Sequence, residues 1–473
     1  MNIVFIHYHL KTGGVTTVIQ RQIEALQNDC RVLVITGETP DEALPFDTVT
    51  LPDLGYDNRT ASPSANPEHV AQSIVDAIYS KWKNGCDLIH VHNPTLAKNR
   101  NFIKVLKALQ QKKMRLFLQI HDFAEDGRPS AYFEDDYPAD CHYGVINSRD
   151  LQILLNAGLK KEGLHLLSNA VAPLAPALNR KKIITADNFV LYPVRAIRRK
   201  NIGEAILWSL FFKNGETLCI TLPPNSPSDF KPYRQWQALV KAEGLKVTFE
   251  AGLTQSFENL VSSAQSIITT SITEGFGFCF LEPWINHKFL WGRQLTDITN
   301  DFKHRGVNLN HLYQSLQIPP EQIDTKCLNA KRRRAISDAL AKFNAKGLRG
   351  KIENELQYVE NAKETDFGLL DESFQMQVIT HLLNDRKAKN RLLELNPILS
   401  APGESVNHLK LIRRNRNAIL HYFNVSRYRT SLLNIYQQVM RHPVRQQIDK
   451  TRLVASFLKP ETFSLLKWGN DAD

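Results

Sequence analysis

The feature that most constrains this chain is a regular alternation of short apolar runs with longer amphipathic segments. Unbroken apolar runs are typical of parallel strands buried on both faces, and amphipathic segments between them are typical of covering helices. The predicted strands are residues 3–6, 32–36, 88–92, 116–120 and 144–148. The predicted helices are residues 15–26, 67–83 and 101–112. The first 170 residues therefore predict an α/β domain with a doubly wound parallel sheet.

The same strand–helix order recurs further along the chain. The predicted strands are residues 189–192, 218–222, 246–250, 267–270 and 290–293, and the predicted helices are residues 233–243 and 256–264. A further helix is expected from an N-cap at Asn201 to about residue 213. The recurrence predicts a second domain built on the same plan.

The turn between residues 267 and 283, IITTSITEGFGFCFLEP, is the strongest candidate for a ligand site. Gly275 and Gly277 allow positive φ and close approach of a ligand, and the helix expected from residue 278 offers unpaired N–H groups. Glu274 and Glu282 flank this turn, and a carboxylate can accept hydrogen bonds from two vicinal hydroxyls. An ordinary strand-to-helix turn with two surface glutamates is the alternative.

Two loops of the first domain follow predicted strands, where ligands bind in such sheets. Gly13 and Gly14 open the first helix, which suits a diphosphate, although they do not form a G-x-G-x-x-G fingerprint. His121 and Asp122 follow the fourth predicted strand. An ordinary capping pair at the end of a strand is the alternative interpretation of these two residues.

A basic loop follows the first strand of the second domain. Arg195 and Lys200 are separated by four residues, and Arg198 and Arg199 add charge between them. Fixed cations stabilise a diphosphate as it gains charge on leaving. A basic surface turn is the alternative.

The bulk properties exclude several classes of protein. A chain of 473 residues is long enough for two or three domains, and it has no run of about 18 apolar residues to cross a membrane. Its first residues lack the features of a signal peptide, and its six scattered cysteines predict free thiols in a reducing cytoplasm. The acidic cluster at residues 134–136 is interpreted as a solvated loop and not as a metal site.

The net charge of +11 is concentrated in three basic runs, at residues 331–334, 386–391 and 413–416. Few aromatic residues interleave with them, which argues against binding of single-stranded nucleic acid. We interpret the runs as solvated helix faces. Peripheral contact with an anionic membrane stays open as an alternative.

These motifs together resemble the retaining, nucleotide-sugar-dependent glycosyltransferases of the GT-B fold, specifically family 4. The match comprises Glu274 and Glu282 in an E-x7-E spacing, the R-x4-K pair, the histidine after the fourth strand and the glycine pair. Residues 168–171 (SNAV) also resemble the P-N-G-V sequence that ends the first domain in this family. The resemblance covers about residues 1–300 and 405–440.

The resemblance implies two Rossmann-like domains that face each other across a cleft. Residues 1–171 would form the acceptor side, residues 172–187 the linker and residues 188–302 the donor side. Residues 303–405 have no counterpart in the family and predict a mostly helical insertion. Residues 406–473 would form C-terminal helices, with a closing helix near residues 426–440. The insertion could shape the acceptor site or a contact between copies of the chain.

The resemblance also implies a reaction, in which a hexose moves from a nucleotide diphosphate to an acceptor hydroxyl with retention, without metal or cofactor. Arg195 and Lys200 would hold the diphosphate, and His121 would contact the transferred sugar. Glu274 would bind sugar hydroxyls and Glu282 the ribose. The remaining donor-binding positions would be Gly13, Gly14, Gly275, Phe276 and Gly277.

Other interpretations stay open at this point. A GT-B-like sugar phosphorylase or epimerase, and a non-catalytic nucleotide-sugar-binding protein, would carry a related cleft. The acceptor could be a small sugar, a sugar acid, a polysaccharide or a lipid, and the donor base and sugar have no simple sequence code. We expect a cytoplasmic protein, with membrane contact and homo-oligomer formation undecided.

Overall fold

The computed structural model describes residues 1–11, 13–40, 44–57, 65–175, 188–213, 215–361, 365–400 and 407–469. The chain divides into two compact units. Unit 1 comprises residues 1–170, 342–345 and 423–458, and unit 2 comprises residues 171–341, 346–422 and 459–473. Most of the predicted linker, residues 176–187, lies outside the described residues.

The first 170 residues form an alternating strand–helix domain, as predicted. Its strands are β1 (Asn2–His7), β2 (Arg31–Thr36), β3 (Thr48–Thr50), β4 (Leu88–His92), β5 (Leu116–Ile120), β6 (His142–Val145) and β7 (Leu164–Leu166). Its helices are α1 (Gly14–Leu26), α2 (Pro67–Lys81), α3 (Phe102–Gln111) and α4 (Ser148–Asn156). The seven strands form one parallel sheet in the order β3-β2-β1-β4-β5-β6-β7.

The second Rossmann-like domain carries a five-stranded parallel sheet in the order β10-β9-β8-β11-β12. These strands are β8 (Phe189–Arg195), β9 (Thr217–Leu222), β10 (Val247–Thr248), β11 (Ser266–Thr269) and β12 (Phe289–Gly292). The helices are α5 (Ile202–Ser209), α6 (Pro227–Ala242), α7 (Ala251–Thr254), α8 (Phe257–Ser263), α9 (Glu282–Ile285) and α10 (Thr296–Lys303). Two parallel sheets covered by helices confirm the predicted fold class.

The region after β12 is mostly helical, as predicted for the insertion. A two-stranded antiparallel ladder joins β13 (Gln317–Ile318) to β14 (Thr365–Asp366). The helices from here to the end are α11 (Thr325–Lys342), α12 (Arg349–Glu360), α13 (Glu372–Asn384), α14 (Arg386–Leu395), α15 (His408–Tyr422), α16 (Val425–Arg441), α17 (Lys450–Phe457) and α18 (Leu465–Trp468). None of the described helices combines the length and apolarity needed to cross a membrane.

A buried ion-pair cluster joins the insertion to the second sheet. Arg293, directly after β12 and 4% exposed, donates to Glu204 of α5 and to Asp366 of β14 at 2.5–2.8 Å. The Tyr313 hydroxyl also donates to Glu204, at 2.5 Å. One guanidinium therefore bridges two carboxylates inside unit 2.

Helix α16 is the predicted closing helix, and it belongs to unit 1. Its apolar face contributes to the core formed by β1, β4, β5 and α1. The face comprises Tyr428, Leu432, Ile435, Tyr436 and Val439. A period of three to four residues places these side chains along one stripe, as expected for a helix buried on one side.

Several predicted element boundaries are wrong, and three of them lie near predicted site residues or start a helix differently. Strand β6 ends at Val145 and not at residue 148, because the Asn147 side chain accepts the N–H of Asp150 and starts helix α4. Asn201 precedes α5 in a left-handed conformation with φ 52°, and its side chain does not cap the helix. It donates instead to Glu204, at 2.8 Å. Helix α5 also ends at Ser209, before residue 213.

The basic run at residues 331–334 is not a solvated face, in contrast to our prediction. Arg332 is 3% exposed. Lys331 contacts Asp371 at 2.9 Å, and Arg333 donates to Glu353 and Glu360 at 2.5 and 2.7 Å. Much of this positive charge is therefore compensated within unit 2. All six cysteines are free thiols, as predicted.

Candidate functional site

The candidate donor site lies where two loops of the second sheet meet. Strands β8 and β11 are parallel neighbours, so the loops that follow them leave the same edge of the sheet. The loop after β8 contains the short 3-10 turn Arg198–Lys200. The Ile272 N–H in the loop after β11 donates to the Arg199 carbonyl at 3.0 Å. A hydrogen bond between backbone groups therefore joins the two predicted motifs.

Lys200 and Glu274, one residue from each motif, form an ion pair. Lys200 Nζ lies 2.5 Å from Glu274 Oε1, and both side chains are largely buried. Arg199 Nη1 lies 3.7 Å from the other carboxylate oxygen, and the Cys279 thiol donates to Oε1 at 3.7 Å. The hydroxyl of Tyr192 donates to the Lys200 carbonyl and holds the loop in place. The structure therefore brings together two of the residues that the spacing predicted.

The Glu274 carboxylate is kept charged by these cations. Burial raises its pKa, but the charges of Lys200 and Arg199 and the hydrogen bonds from Lys200 and Ser271 outweigh burial, so that the pKa lies below its ordinary value. A charged carboxylate has four lone-pair directions for hydroxyl donors. Glu274 is therefore a charged hydrogen-bond acceptor at the meeting point of the two loops.

The other two arginines of the basic loop have different surroundings. Arg195, the last residue of β8, donates from Nη1 to the Pro223 carbonyl at 3.1 Å. Arg198 makes two 2.8 Å bonds to Glu372 and donates to the Gly469 carbonyl at 2.6 Å. The expectation that Arg198 adds charge to the phosphate loop is wrong, because its guanidinium is neutralised by a carboxylate on α13.

One of the two glycines of the turn has the positive φ that the sequence predicted. Gly277 has φ 87°, and a Cβ there would lie 2.9 Å from Ile298 Cγ2. Phe276 is 5% exposed and its ring packs against Phe278 at 4.9 Å, so any donor contact at Phe276 would come from its backbone. The expected helix is a 3-10 turn followed by α9, of which Glu282 is the first residue.

The glycine pair of unit 1 opens helix α1. Gly13 is the N-cap residue and has an extended backbone, with φ 174°. Gly14 is the first helical residue, and a Cβ added there would meet no atom within 4 Å. Both glycines are exposed, at the helix end where the first N–H groups lack carbonyl partners within the helix. Thr12, the residue before this pair, lies outside the described residues.

His121 follows β5 at the carboxyl edge of the first sheet. Its Nε2 lies 2.8 Å from His92 Nδ1, and its backbone N–H donates to Asn93 Oδ1 at 2.8 Å. Burial lowers the pKa of His121 to about 4, although the nearby Asp122 opposes this. The imidazole is therefore neutral at physiological pH.

The structure places the predicted residues in two groups, one in each unit. Unit 2 holds Arg195, Lys200, residues 274–277 and Glu282, whereas unit 1 holds Gly13, Gly14 and His121. The cleft between two domains stays a prediction. Within the described residues, no three His, Cys, Asp or Glu side chains cluster in a way that could hold a metal ion.

Sequence reasoning missed two contacts at these positions. Cys279 touches Glu274, and its place inside the E-x7-E spacing was the available signal. His92 ends β4, next to β5 in the sheet, so the predicted strand order could have brought it to His121.

Comparisons with solved structures define the fold. A sucrose-phosphate synthase from Thermosynechococcus elongatus matches with a TM-score of 0.53 and 16% identity, over 92% of this chain and 98% of that one. HepE from Anabaena, solved with UDP and glucose, matches with a TM-score of 0.54 and 13% identity, over 92% and 99%. TarM matches with a TM-score of 0.52 and 11% identity, over 92% and 98%. The chain has the GT-B fold.

One curated relative is similar in sequence as well. The mannosylglucosyl-3-phosphoglycerate synthase of Petrotoga mobilis is 27% identical over 343 residues, which span 64% of this chain and 66% of that protein. No family model matches the chain. The predicted resemblance to GT-B glycosyltransferases is confirmed, and the assignment to family 4 stays a prediction.

Proposed function

We propose that this protein is a retaining hexosyltransferase that moves a sugar from a nucleotide-diphosphate donor to an acceptor hydroxyl, without a metal ion or cofactor. The observation that carries the proposal is the Lys200–Glu274 pair at 2.5 Å. It combines a cation and a hydroxyl-binding carboxylate where the loops after β8 and β11 meet. The sequence relationship to a named sugar-transferring synthase supports the same reaction class.

The cations of this site serve the leaving group. As the bond between the anomeric carbon and the diphosphate breaks, negative charge develops on the phosphate oxygens. Arg195 and Lys200 would stabilise that charge, and their fixed loop avoids reorganisation at the moment of reaction. Lys200 donates to Glu274, and this bond would hold both side chains near their working positions.

The carboxylates and the turn bind the donor's hydroxyls. Glu274, charged and largely buried, would accept hydrogen bonds from the transferred sugar, and Glu282 would accept those of the ribose. Gly277 supplies the positive φ that shapes the turn between these two carboxylates.

Unit 1 would supply the remaining contacts. His121, as a neutral imidazole, would contact the transferred sugar, and Gly13 and Gly14 would offer backbone N–H groups to the phosphates. In a retaining reaction of this kind, the departing phosphate oxygen accepts the proton of the acceptor hydroxyl while that hydroxyl bonds to the anomeric carbon. The protein then needs no separate base, and positioning does most of the catalysis.

The relatives suggest where screening should begin. HepE has been solved with UDP and with UDP-glucose, which puts uridine nucleotides first among donors. The Petrotoga relative is named for a glycosylated 3-phosphoglycerate product, so glycosides of 3-phosphoglycerate are the first acceptors to test. A cytoplasmic location, peripheral membrane contact and homo-oligomer formation stay predictions.

The test is a thermal-shift screen of the full chain against UDP, GDP, ADP and their glucose and mannose conjugates, without metal. A ligand that binds only the native state at a hundred times its Kd stabilises it by about 2.7 kcal/mol. We expect one nucleotide to raise the Tm, and Lys200→Ala to lose that shift. Lys241→Ala, an exposed lysine on α6, is the matched control and should keep it.

Turnover completes the test. The nucleotide sugar that binds should release its nucleoside diphosphate only when an acceptor is present, and the product's anomeric configuration should equal that of the donor. An inverted product would refute retention. Normal turnover by Lys200→Ala would refute the phosphate-binding role, and a screen without any nucleotide shift would refute the proposed function.

A further inference from the structure

A pair of hydrogen-bonded histidines lies at the carboxyl edge of the first sheet. His92 is the last residue of β4, and His121 follows the neighbouring strand β5. Their rings are nearly parallel, with an interplanar angle of 12° and centroids 5.1 Å apart. His92 Nδ1 and His121 Nε2 lie 2.8 Å apart, within hydrogen-bond distance. One N–H···N hydrogen bond therefore joins the two imidazoles.

His92 is enclosed on its remaining sides. It is fully buried, and its ring stacks on His90 at 4.4 Å and on Phe5 at 5.8 Å. Its second nitrogen, Nε2, has no hydrogen-bond partner among the described residues. Burial lowers the pKa of His92 well below its ordinary value, and the neighbouring histidines lower it further, so the ring is neutral.

The unpartnered nitrogen decides which histidine donates. If His121 were the donor, His92 would carry its own proton on Nε2, where a buried N–H has no acceptor. If His92 is the donor, its Nε2 is only an unpaired acceptor. Orphaned buried N–H groups are rarer in proteins than orphaned acceptors. The proton therefore belongs on His92 Nδ1.

We infer that His92 is a positioning residue, which donates from Nδ1 to His121 Nε2 and thereby holds His121 as the tautomer protonated on Nδ1. His121 then offers an N–H donor to a ligand. A donor suits the oxygen of a sugar hydroxyl, whereas the other tautomer would offer a bare nitrogen. The use made of this donor rests on the proposed function, but the tautomer itself does not.

Other contacts fix His121 without supplying a competing proton acceptor. Asn93 Oδ1 accepts the backbone N–H groups of His121 and Asp122, at 2.8 and 3.1 Å. The Asp122 carboxylate is paired with Arg128 at 2.8 Å. Besides His92, the titratable groups of the sheet that interact with His121 include His7 at the end of β1 and His90 of β4.

The chain contains a matched control pair in the same unit. His142 Nδ1 and His165 Nε2 also lie 2.8 Å apart, with centroids 5.1 Å apart and an interplanar angle of 11°. They belong to β6 and β7, and no predicted site residue touches them. Substitution of His142 therefore tests the cost of losing a buried histidine pair in general.

Two substitutions of His92 separate the hydrogen bond from the bulk of the ring. In His92→Asn the amide nitrogen can occupy the place of Nδ1 and still donate to His121. In His92→Gln the longer side chain carries its amide to the place of Nε2, and the bond is lost. We expect turnover of UDP-glucose to fall roughly 10–100-fold in His92→Gln, by analogy with residues that orient catalytic histidines, and to be largely retained in His92→Asn. His142→Gln should turn over UDP-glucose normally.

The tautomer is measured directly, by nitrogen NMR of the full chain labelled at histidine. We expect the His121 ring to carry its proton on Nδ1 in the wild type and in His92→Asn, and to lose this preference in His92→Gln. A proton found on Nε2 of His121 in the wild type would overturn the inference. Equal turnover by His92→Asn and His92→Gln would also overturn it. Failure of the wild type to process any nucleotide sugar would count against the proposed function alone, since the NMR result still decides the tautomer.

Discussion

The most informative substitution for stability is Arg293→Met, because Arg293 ties the helical insertion to the second sheet. The guanidinium donates to Glu204 at 2.8 and 2.5 Å, to Asp366 at 2.7 and 2.8 Å and to the Gln314 carbonyl at 2.9 Å. Methionine fills similar volume without charge or donors. The substitution therefore leaves two carboxylates without their cation.

Removal of one partner from a buried ion pair typically costs about 3–5 kcal/mol. Glu204 is fully buried, which places Arg293→Met in this range. Glu204 keeps the donors of Tyr313 and Asn201, at 2.5 and 2.8 Å, so we expect about 4 kcal/mol. For a folding unit of this size, that loss lowers the Tm by about 10 °C.

The loss should depend on pH. Burial raises the pKa of Glu204, and Arg293 opposes that rise. Without Arg293 the folded-state pKa moves higher still. An acid whose pKa is raised on folding gives its full stability below the unfolded pKa and loses it as the pH rises through the folded pKa. The deficit of Arg293→Met should therefore be larger at pH 8 than at pH 5.

Urea unfolding followed by tryptophan fluorescence measures this change in unit 2. Five of the six tryptophans belong to that unit, namely Trp208, Trp236, Trp284, Trp291 and Trp468. Adding Glu204→Gln to Arg293→Met should recover part of the loss, because it removes one of the stranded charges. A free energy of unfolding within about 1 kcal/mol of the wild type would refute the reasoning, since even an ordinary hydrogen bond contributes that much.

Three further predictions follow from single contacts. Gly277→Ala should lower the free energy of unfolding by about 1–3 kcal/mol in urea, because φ is 87° and the new Cβ meets Ile298 at 2.9 Å; an unchanged midpoint would contradict this strain. Tyr428→Phe should lower the free energy of unfolding by about 1–3 kcal/mol in the same assay, because the Tyr428 hydroxyl accepts a hydrogen bond from the buried side-chain amide of Gln22 at 2.8 Å; an unchanged midpoint would contradict this. The lowered pKa of Glu274 means that its contribution to stability is complete above its ordinary value of 4.5 and is lost as the pH falls through the folded value. Lys200→Met should flatten that acid dependence, and an unaltered pH profile of the Tm would argue against the ion pair.

The strand pattern could be predicted because burial on both faces leaves an unbroken apolar signal. Residues 3–6 and 116–120 were placed correctly for that reason. Strand β6 was misplaced because the capping oxygen of Asn147 lies inside a run that still looks strand-like. Strand β10 is two residues long and not five as predicted for residues 246–250. Glu250 takes a left-handed conformation with φ 63°, which no local sequence pattern indicates.

The candidate site could be predicted only where the spacing of residues along the chain determines their position in the fold. Lys200 and Glu274 lie on loops after neighbouring parallel strands, so a motif on each loop was enough to bring them together. Arg198 has the same charge and the same loop, but Glu372 binds it from 174 residues away. Two residues so far apart along the chain leave no periodic pattern that would indicate their contact. The partner of a charged residue is therefore the least predictable part of such a site.

The return of α16 to unit 1 has a consequence for synthesis of the chain. The Gln22 side chain bonds to Tyr428 across 406 residues, and Asp29 pairs with Arg429 across 400 residues. The apolar stripe of α16 fills the same core as β1 and α1. The amino-terminal sheet is therefore translated long before the helix that covers part of its core.

At 5–20 residues per second, about 10–50 s separate the synthesis of residue 170 from that of α16. During that interval the core of unit 1 lacks its closing helix, and apolar surface is open to chaperones or to neighbouring chains. The last folding step of the first domain then waits for the synthesis of α16. A ribosome that stalls within the insertion would leave exposed an amino-terminal sheet whose seven strands were all made.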